Sequence, residues 1–456
     1  MKAHKSWSYR PYRPPFIEVG DIYICRVVPG EKDVHFEWLG IGDVTYSVYF
    51  RLRNDGEYIL AGQTKECEYT ISGLETEREY EFYVEASGKK SRVRLARCGF
   101  CVDTVVNYLH PEDDAYSFSG RALCSPSMVR HPDGYLLASM DVFKGDYPQN
   151  LTLIFRSDDD GKTWHYVSEL FPCFWGKMFI YENELYMLGV STEYGDLLIG
   201  KSSDGGVTFT EPTVLLRGSN GKHGESGVHK NPQPVVEYGG RIWNTLEWGS
   251  WGRGYHAVMV MSAPMGSDLL DGENWSFSEP VQYDPNWPGL PEGCSAGNIE
   301  GTLVAMHGGL YNIMRYDMRK LQPNFGLIIA YKVDTEHTEK PLKYDHCIRF
   351  PANHSKFEIH FHQRTGKYYS LASRILGEDH TRDRNLLSLM VSADGEHWEV
   401  ERDVIDMRHA DPQMIGFQYV DFFFEENEIL YLCRTAMNGA ANYHDANYST
   451  FGRIKL

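Results

Sequence analysis

The chain has 456 residues, 14% of them aromatic with 30 tyrosines, and a formal net charge of −18 at pH 7. That length admits two domains, one of them large, and the aromatic content favours strands over helices. The acidic balance argues against nucleic acid as a partner, and the lack of any run of about 18 apolar residues argues against a membrane span.

The first ten residues contain no apolar stretch and do not read as a secretion signal. Nine cysteines are scattered along the chain. Reduced thiols in a cytoplasmic protein are the simplest reading, and Cys98-Gly-Phe-Cys101 is a lone CxxC without a second pair. Neither a metal nor another cofactor is expected.

Residues 15–98 alternate apolar and polar side chains in short runs, as in Ile22-Tyr-Ile-Cys-Arg-Val, Val34-His-Phe-Glu-Trp38 and Tyr46-Ser-Val-Tyr-Phe-Arg-Leu. This is strand periodicity broken by regular turns. Gly73-Leu74 precedes Tyr80 by six residues, and Tyr80 opens another alternating run. The segment resembles a fibronectin type III domain. The resemblance implies a small β-sandwich in which Trp38 is the core tryptophan and Tyr80 bonds back to the loop before it.

Residues 101–456 divide into six units, each an apolar strand, a turn and a second apolar strand. The units begin near Ser125, Gly176, Asn231, Asn298, Lys356 and Phe417. The last unit is one strand short, and the segment 101–108 is expected to supply that strand and close a ring. Five units is the alternative count.

Four turns share a pattern. Ser157-Asp-Asp-Asp-Gly-Lys-Thr-Trp164 and Ser202-Ser-Asp-Gly-Gly-Val-Thr-Phe209 match in full. Ser392-Ala-Asp394-Gly395-Glu-His-Trp398 is shortened, and Asp271-Gly272-Glu-Asn-Trp275 is degenerate. Asp caps backbone N–H groups, Gly takes the left-handed dihedrals, and the aromatic plugs between sheets. Four such turns in one chain mean repeated sheets. These turns resemble the Asp-boxes of the sialidase superfamily. The fold class expected is all-β: a six-bladed sialidase-like propeller over 101–456 after a fibronectin type III-like sandwich over 15–98. Ser125-Pro-Ser127, Gly416-Phe-Gln-Tyr-Val-Asp421 and Tyr443-His-Asp-Ala-Asn-Tyr448 further resemble a group of sialidase-like bacterial proteins.

In a propeller the inner strands and the loops between blades build the pocket. Polar residues at those places are Arg121 and Asp141 in blade one, Lys177 in blade two, and His229, Lys230 and Glu247 in blade three. Blade four offers Glu300 and Arg315, and blade five offers Lys356 and Arg374. Blade six offers Gln418, Tyr419, Asp421 and Arg434, and the final loop His444 and Asp445. The resemblance implies a nucleophilic tyrosine at the start of blade six, where Tyr419 stands. It also implies an assisting glutamate at the end of blade three's second strand, where Glu247 stands, and an acid/base aspartate near Asp141.

Sialidases further carry three arginines at the inner-strand starts of blades one, four and five. Here Cys124-Ser125-Pro126, Asn298 with Glu300, and Lys356 occupy those starts. Lysine does not reproduce a bidentate guanidinium–carboxylate contact, so sialic acid is expected to be a poor substrate.

The expected activity is exo-acting hydrolysis of a glycoside. Asp141, Glu247, Tyr419, Asp421 and His229 are the catalytic candidates, and the remaining polar residues would bind sugar. A uronate-specific polysaccharide lyase using His229 and Tyr419, or a propeller that only binds sugar, are the alternatives.

Overall fold

The repeated turns fold as their chemistry dictates. A computed structural model of the protein describes residues 7–9, 21–99, 103–111, 116–144, 146–219, 224–290, 297–317, 326–352, 355–377 and 382–456; Cys101 of the CxxC lies outside the described residues. In the first turn Ser157 Oγ donates to Asp159 Oδ1 at 2.9 Å and accepts from Gly161 N at 2.8 Å, while Thr163 N donates to Asp159 Oδ1 at 2.8 Å. The second turn repeats this through Ser202, Asp204, Gly206 and Thr208. Asp394 caps Glu396 N and His397 N, and Asp271 caps Glu273 N.

Each turn then delivers its aromatic to a seam between blades. Trp164 meets Phe451 of blade six at 5.5 Å between ring centroids, and Trp398 meets Phe350 of blade four at 5.1 Å. Phe209 and Trp275 are buried in the seams before their own blades. Replacing Ser157 by alanine removes two hydrogen bonds from a partly solvated turn. A loss of about 1 kcal/mol is expected, read as a lowered denaturant midpoint with an unchanged m-value.

Six antiparallel sheets surround one axis. Their innermost strands are Ala122–Arg130, Phe174–Tyr181, Gly227–His229, Gly297–Met306, His360–His362 and Gly416–Glu425. Blade six is completed by Thr104–Tyr108, which pairs antiparallel with Tyr448–Lys455 and so closes the ring. Sequential hairpins build each remaining blade, and the apolar faces of neighbouring blades bury one another.

The N-terminal domain is a two-sheet sandwich. Tyr23–Pro29, Asp33–Leu39 and Glu68–Ser72 form one sheet; Ile59–Thr64, Tyr46–Leu52 and Glu79–Ala86, with Arg94–Arg97, form the main part of the other. This is a small β-sandwich, as expected, with Trp38 buried and Tyr80 Oη accepting from Glu75 N at 3.0 Å. Its core is continuous with that of blades five and six: Phe36 and Phe82 belong to one apolar cluster with Leu389, Phe417 and Tyr448. Arg97 N also donates to Asn438 Oδ1 at 3.0 Å.

The extreme N-terminus returns to the propeller. Ser8–Tyr9 adds a fifth strand to blade one, against His165–Leu170. Trp7 is 1% exposed and its indole N–H donates to Pro172 O at 2.7 Å. Among the described residues no helix is long and apolar enough to cross a membrane.

Candidate active site

Among the described residues, four of the six inner strands carry a β-bulge near their entry. In blade one Cys124 pairs with Asp141 and Ser127 with Ser139, leaving extra residues between; blades two and six do the same at 174–177 and 418–421, and blade four at 299–301. Each bulge holds a non-glycine residue at positive φ: Ser125 (51°), Trp175 (50°), Glu300 (58°) and Tyr419 (56°). A left-handed conformation costs about 1–3 kcal/mol at a bulky residue and persists only where packing enforces it. Bulges re-aim side chains, and here the device recurs around one axis.

The second strands repeat a position too. Opposite the residue that precedes the bulge stand Asp141, Arg315 and Arg434, and Glu247 stands opposite His229. Antiparallel pairing therefore places a charged side chain beside the bulge in blades one, four and six, and beside His229 in blade three.

Tyr419 and Glu300 meet across the axis. Tyr419 Oη donates to Glu300 Oε1 at 2.7 Å, and Arg315 Nη1 donates to Glu300 Oε2 at 2.7 Å while lying 3.4 Å from Tyr419 Oη. The guanidinium carbons of Arg434 and Arg384 lie 5.0 and 5.8 Å from the centre of the Tyr419 ring. Arg384 donates to Gln418 Oε1, and Arg434 to His444 O.

Electrostatics follow from this crowding. Burial, then the neighbouring Glu300 charge, pushes the Tyr419 hydroxyl up to about 12 against the pull of the three arginines. Burial alone would raise Glu300, yet Arg315, His229 and the hydrogen bonds from Tyr419 and Arg315 outweigh it and hold its pKa below the usual value. Burial, with Arg315 and Arg434 near, draws Arg384 down to about 10 against Tyr419 and Tyr443. In the resting site the proton stays on the tyrosine and Glu300 stays an open acceptor.

Glu247 is engaged elsewhere. Its Oε2 lies 2.5 Å from His229 Nδ1, and its Oε1 accepts from Gly301 N at 3.3 Å. The carboxylate that Tyr419 meets is therefore Glu300, and Glu247 orients His229. Trp175 packs edge-on to the His229 ring at 4.4 Å, with His256 at 4.7 Å.

Asp141 sits in the seam of blades one and two with no exposed surface. Thr152 Oγ1 donates to its Oδ1 at 2.5 Å and Trp175 N to its Oδ2 at 2.7 Å. Burial raises its pKa to about 7 despite these bonds. The structure does not bring Asp141 into contact with Tyr419 or Glu300; it ties the Trp175 bulge to blade one.

A second charged group fills the axis two residues further along the same strands, about 6–7 Å deeper. Lys177 donates to Asp421, whose other oxygen accepts from Met128 N at 2.5 Å. Lys356 donates to Glu358, which also meets His360 Nε2 at 3.1 Å. Lys230 is wholly buried and donates to Asn231 O at 3.2 Å. Burial, then repulsion from Lys177 and Lys356, lowers its pKa from 10.5 to about 7.

Across that interval the unfolded chain holds the Lys230 proton and the folded chain does not. Its contribution to stability therefore rises with pH from about 7 to 10.5 and is least below 7. Lys230→Met is expected to be more stable than the parent at pH 6.5, by on the order of 2 kcal/mol, and to lose that advantage by pH 10. Paired melting curves at the two pH values check this.

The remaining candidates scatter. Arg121 Nε donates to Tyr147 Oη at 3.0 Å, and Arg374 pairs with Asp403 at 3.3 Å on the outer strand of blade five; neither contacts Tyr419. His444 lies 2.9 Å from Asp445 and is lowered to about 4 by burial and by Arg434. Arg384 and Trp175 were missed by sequence reasoning. Arg384 lies in the loop before the third strand of blade five, where its backbone bridges to Gly416, and that bridge together with the bond to Gln418 sets it beside Tyr419. Three guanidiniums, those of Arg315, Arg384 and Arg434, thus gather at Tyr419 from elements other than the inner-strand starts. Among the described residues no group of three or more His, Cys, Asp or Glu could hold a metal ion.

No protein-family model matches the chain, and no curated protein matches it by sequence. Solved structures do. An α-L-arabinanase of Penicillium chrysogenum complexed with arabinobiose aligns with a TM-score of 0.50 at 13% identity, covering 78% of this chain and 98% of that one. The α-L-arabinofuranosidase Arb93A of Fusarium graminearum, in complex with an iminosugar inhibitor, aligns with a TM-score of 0.50 at 11% identity and the same coverage. The NanB sialidase of Streptococcus pneumoniae aligns over 96% of this chain and 93% of its own at 9% identity, with a TM-score of 0.48, a likeness too loose to argue from. At these identities the first two show a shared fold and no more.

Proposed function

We propose that the protein is an exo-acting, retaining glycoside hydrolase whose substrate ends in a sugar bearing a carboxylate. One observation carries the reading: the Tyr419 hydroxyl is hydrogen-bonded to Glu300 at 2.7 Å inside a ring of three guanidiniums. A neutral phenol attacks a carbon beside a carboxylate without the repulsion that an anionic nucleophile meets, and arginine is the side chain suited to bind that carboxylate.

Tyr419 Oη bonds to the anomeric carbon as its proton passes to Glu300 Oε1, and the glycosidic bond breaks. The leaving oxygen takes a proton from His229, which Glu247 orients. In the second step neutral His229 removes a proton from water, the water oxygen attacks the anomeric carbon, and Tyr419 leaves and recovers its proton from Glu300. Transfer to Glu300 is uphill in the empty site, so proton transfer and attack are concerted. The buried Lys177–Asp421 and Lys356–Glu358 pairs close the axis beneath, so a terminal sugar enters and a chain does not thread through.

Because three guanidiniums surround Tyr419, the ground for excluding sialic acid falls away. The test is a panel of 3′-sialyllactose, a glucuronyl-terminated disaccharide and uncharged lactose, scored by release of reducing sugar. Turnover of a carboxylated disaccharide with lactose untouched is expected. Cleavage of lactose alone would reject the reading. The dyad of His229 and Glu247 also suits a uronate lyase, with His229 as base and the arginines neutralising the carboxylate. An unsaturated product absorbing near 235 nm would move that reading ahead.

A further inference from the structure

Two of the four bulge residues, Tyr419 and Glu300, form the proposed reacting pair. The same backbone device holds Trp175, whose indole is half-buried, in a conformation that a bulky residue ordinarily avoids. The strain is held in place: Asp141 Oδ2 accepts from Trp175 N, the Phe174 ring lies tilted beside the indole at 4.9 Å, and the His229 ring lies edge-on at 4.4 Å. Tyr194 and His256, both buried, close the wall behind His229. The bulge re-aims the indole, and its contact with His229 links it to the proposed reacting pair, because Glu247 meets both His229 Nδ1 at 2.5 Å and the amide of Gly301, next to Glu300, at 3.3 Å.

We infer that Trp175 is the stacking platform for the leaving-group sugar, and so a specificity-determining residue of the site. The side is assigned by its neighbours. Arg315, Arg384 and Arg434 gather on blades four to six, where a carboxylated sugar would sit. Trp175 touches His229, the group placed to protonate the leaving oxygen, so a ring lying on its face belongs to the other half of the substrate. The apolar face of a pyranose lies flat on an indole, and hydroxyls around its rim stay free to bond. Asp141 is then a positioning residue that acts through the Trp175 amide.

The assignment of side rests on the proposed hydrolysis, so the test has two arms. In the kinetic arm, Trp175→Ala is compared with the parent on the carboxylated disaccharide cleaved fastest in the panel above and on the corresponding glycosyl fluoride, whose leaving group has no ring. The disaccharide is expected to lose about 10- to 100-fold in kcat/KM and the fluoride less than about 3-fold, with Trp175→Phe recovering part of the loss. Equal losses on both substrates, or none on either, overturn the inference. In the binding arm, saturation-transfer NMR is run with lactose and with cellobiose on the folded parent and on Trp175→Ala, with thermal melts confirming the fold. Transfer to a sugar ring that disappears in the variant is expected. No transfer from the parent, or transfer unchanged in the variant, overturns the platform even if hydrolysis is established. Transfer lost in the variant with no substrate of the panel cleaved keeps the platform and rejects the hydrolase reading.

Discussion

Tyr419→Phe is expected to lower kcat by about 10³-fold or more, with the melting temperature nearly unchanged. The substitution removes one oxygen, and that oxygen is both the proposed nucleophile and the donor to Glu300 at 2.7 Å. Glu300 keeps its bond from Arg315 at 2.7 Å, so no buried carboxylate is stranded, and the ring that packs against Arg384 and Arg434 remains. Glu300→Gln is expected to lose about 10²- to 10⁴-fold, the range typical of a proton-transfer group, because an amide cannot take the phenolic proton. Since Glu300 is held below the ordinary carboxylate pKa, it is ionised throughout the neutral range, and its protonation should not limit activity above about pH 5. Steady-state kinetics of the two variants on the cleaved disaccharide, with circular dichroism as the fold control, decide the matter. A Phe variant with near-parental kcat would remove Tyr419 from the chemistry.

Lys177→Met is expected to destabilise the propeller by about 3–5 kcal/mol, the usual consequence of leaving one member of a buried ion pair unpaired. Lys177 and Asp421 are 8% and 2% exposed at their side chains, so water cannot replace the missing partner. The size of the effect should depend on pH. Asp421 already stands at about 6, raised by burial against the pull of Lys177. Its folded pKa lies above its unfolded one, so the stability tied to its protonation is present at low pH and lost as pH rises through the folded value. Removing Lys177 raises that value further. The variant should therefore be closer to the parent at pH 5 than at pH 8, and adding Asp421→Asn should recover most of the loss at pH 8. Denaturant titrations at both pH values test this. If Lys177 were a sugar-binding residue free of the core, stability would hardly change and KM would rise.

The two results bear on different parts of one channel. Tyr419 and Asp421 are two residues apart on one strand, yet the first borders the proposed substrate space and the second sits in the filled axis below it. Both were expected to be catalytic, and only their partners separate them: a glutamate and three arginines around Tyr419, a lysine and a backbone amide around Asp421.

What could be read from the sequence alone is what local chemistry determines. Hairpin turns, alternating burial and the repeated Ser-x-Asp-x-Gly pattern are properties of short segments, so the six blades, the closing strand at Thr104–Tyr108 and the corner hydrogen bond of Tyr80 were all legible. That Tyr419, Glu247 and His229 lie near strand ends was legible for the same reason. Which residue meets which was not. Tyr419 finds Glu300 across 119 residues and Lys177 finds Asp421 across 244, and no periodicity encodes a contact made only when the ring closes. Arg384 gains its place from a backbone bridge to blade six, and Trp7 gains its seat from the return of the N-terminus to blade one. The bulges that aim Trp175, Glu300 and Tyr419 are irregularities of pairing between two strands. They exist only once both strands are laid side by side, which is why the tertiary structure, and not the sequence pattern, decided the composition of the site.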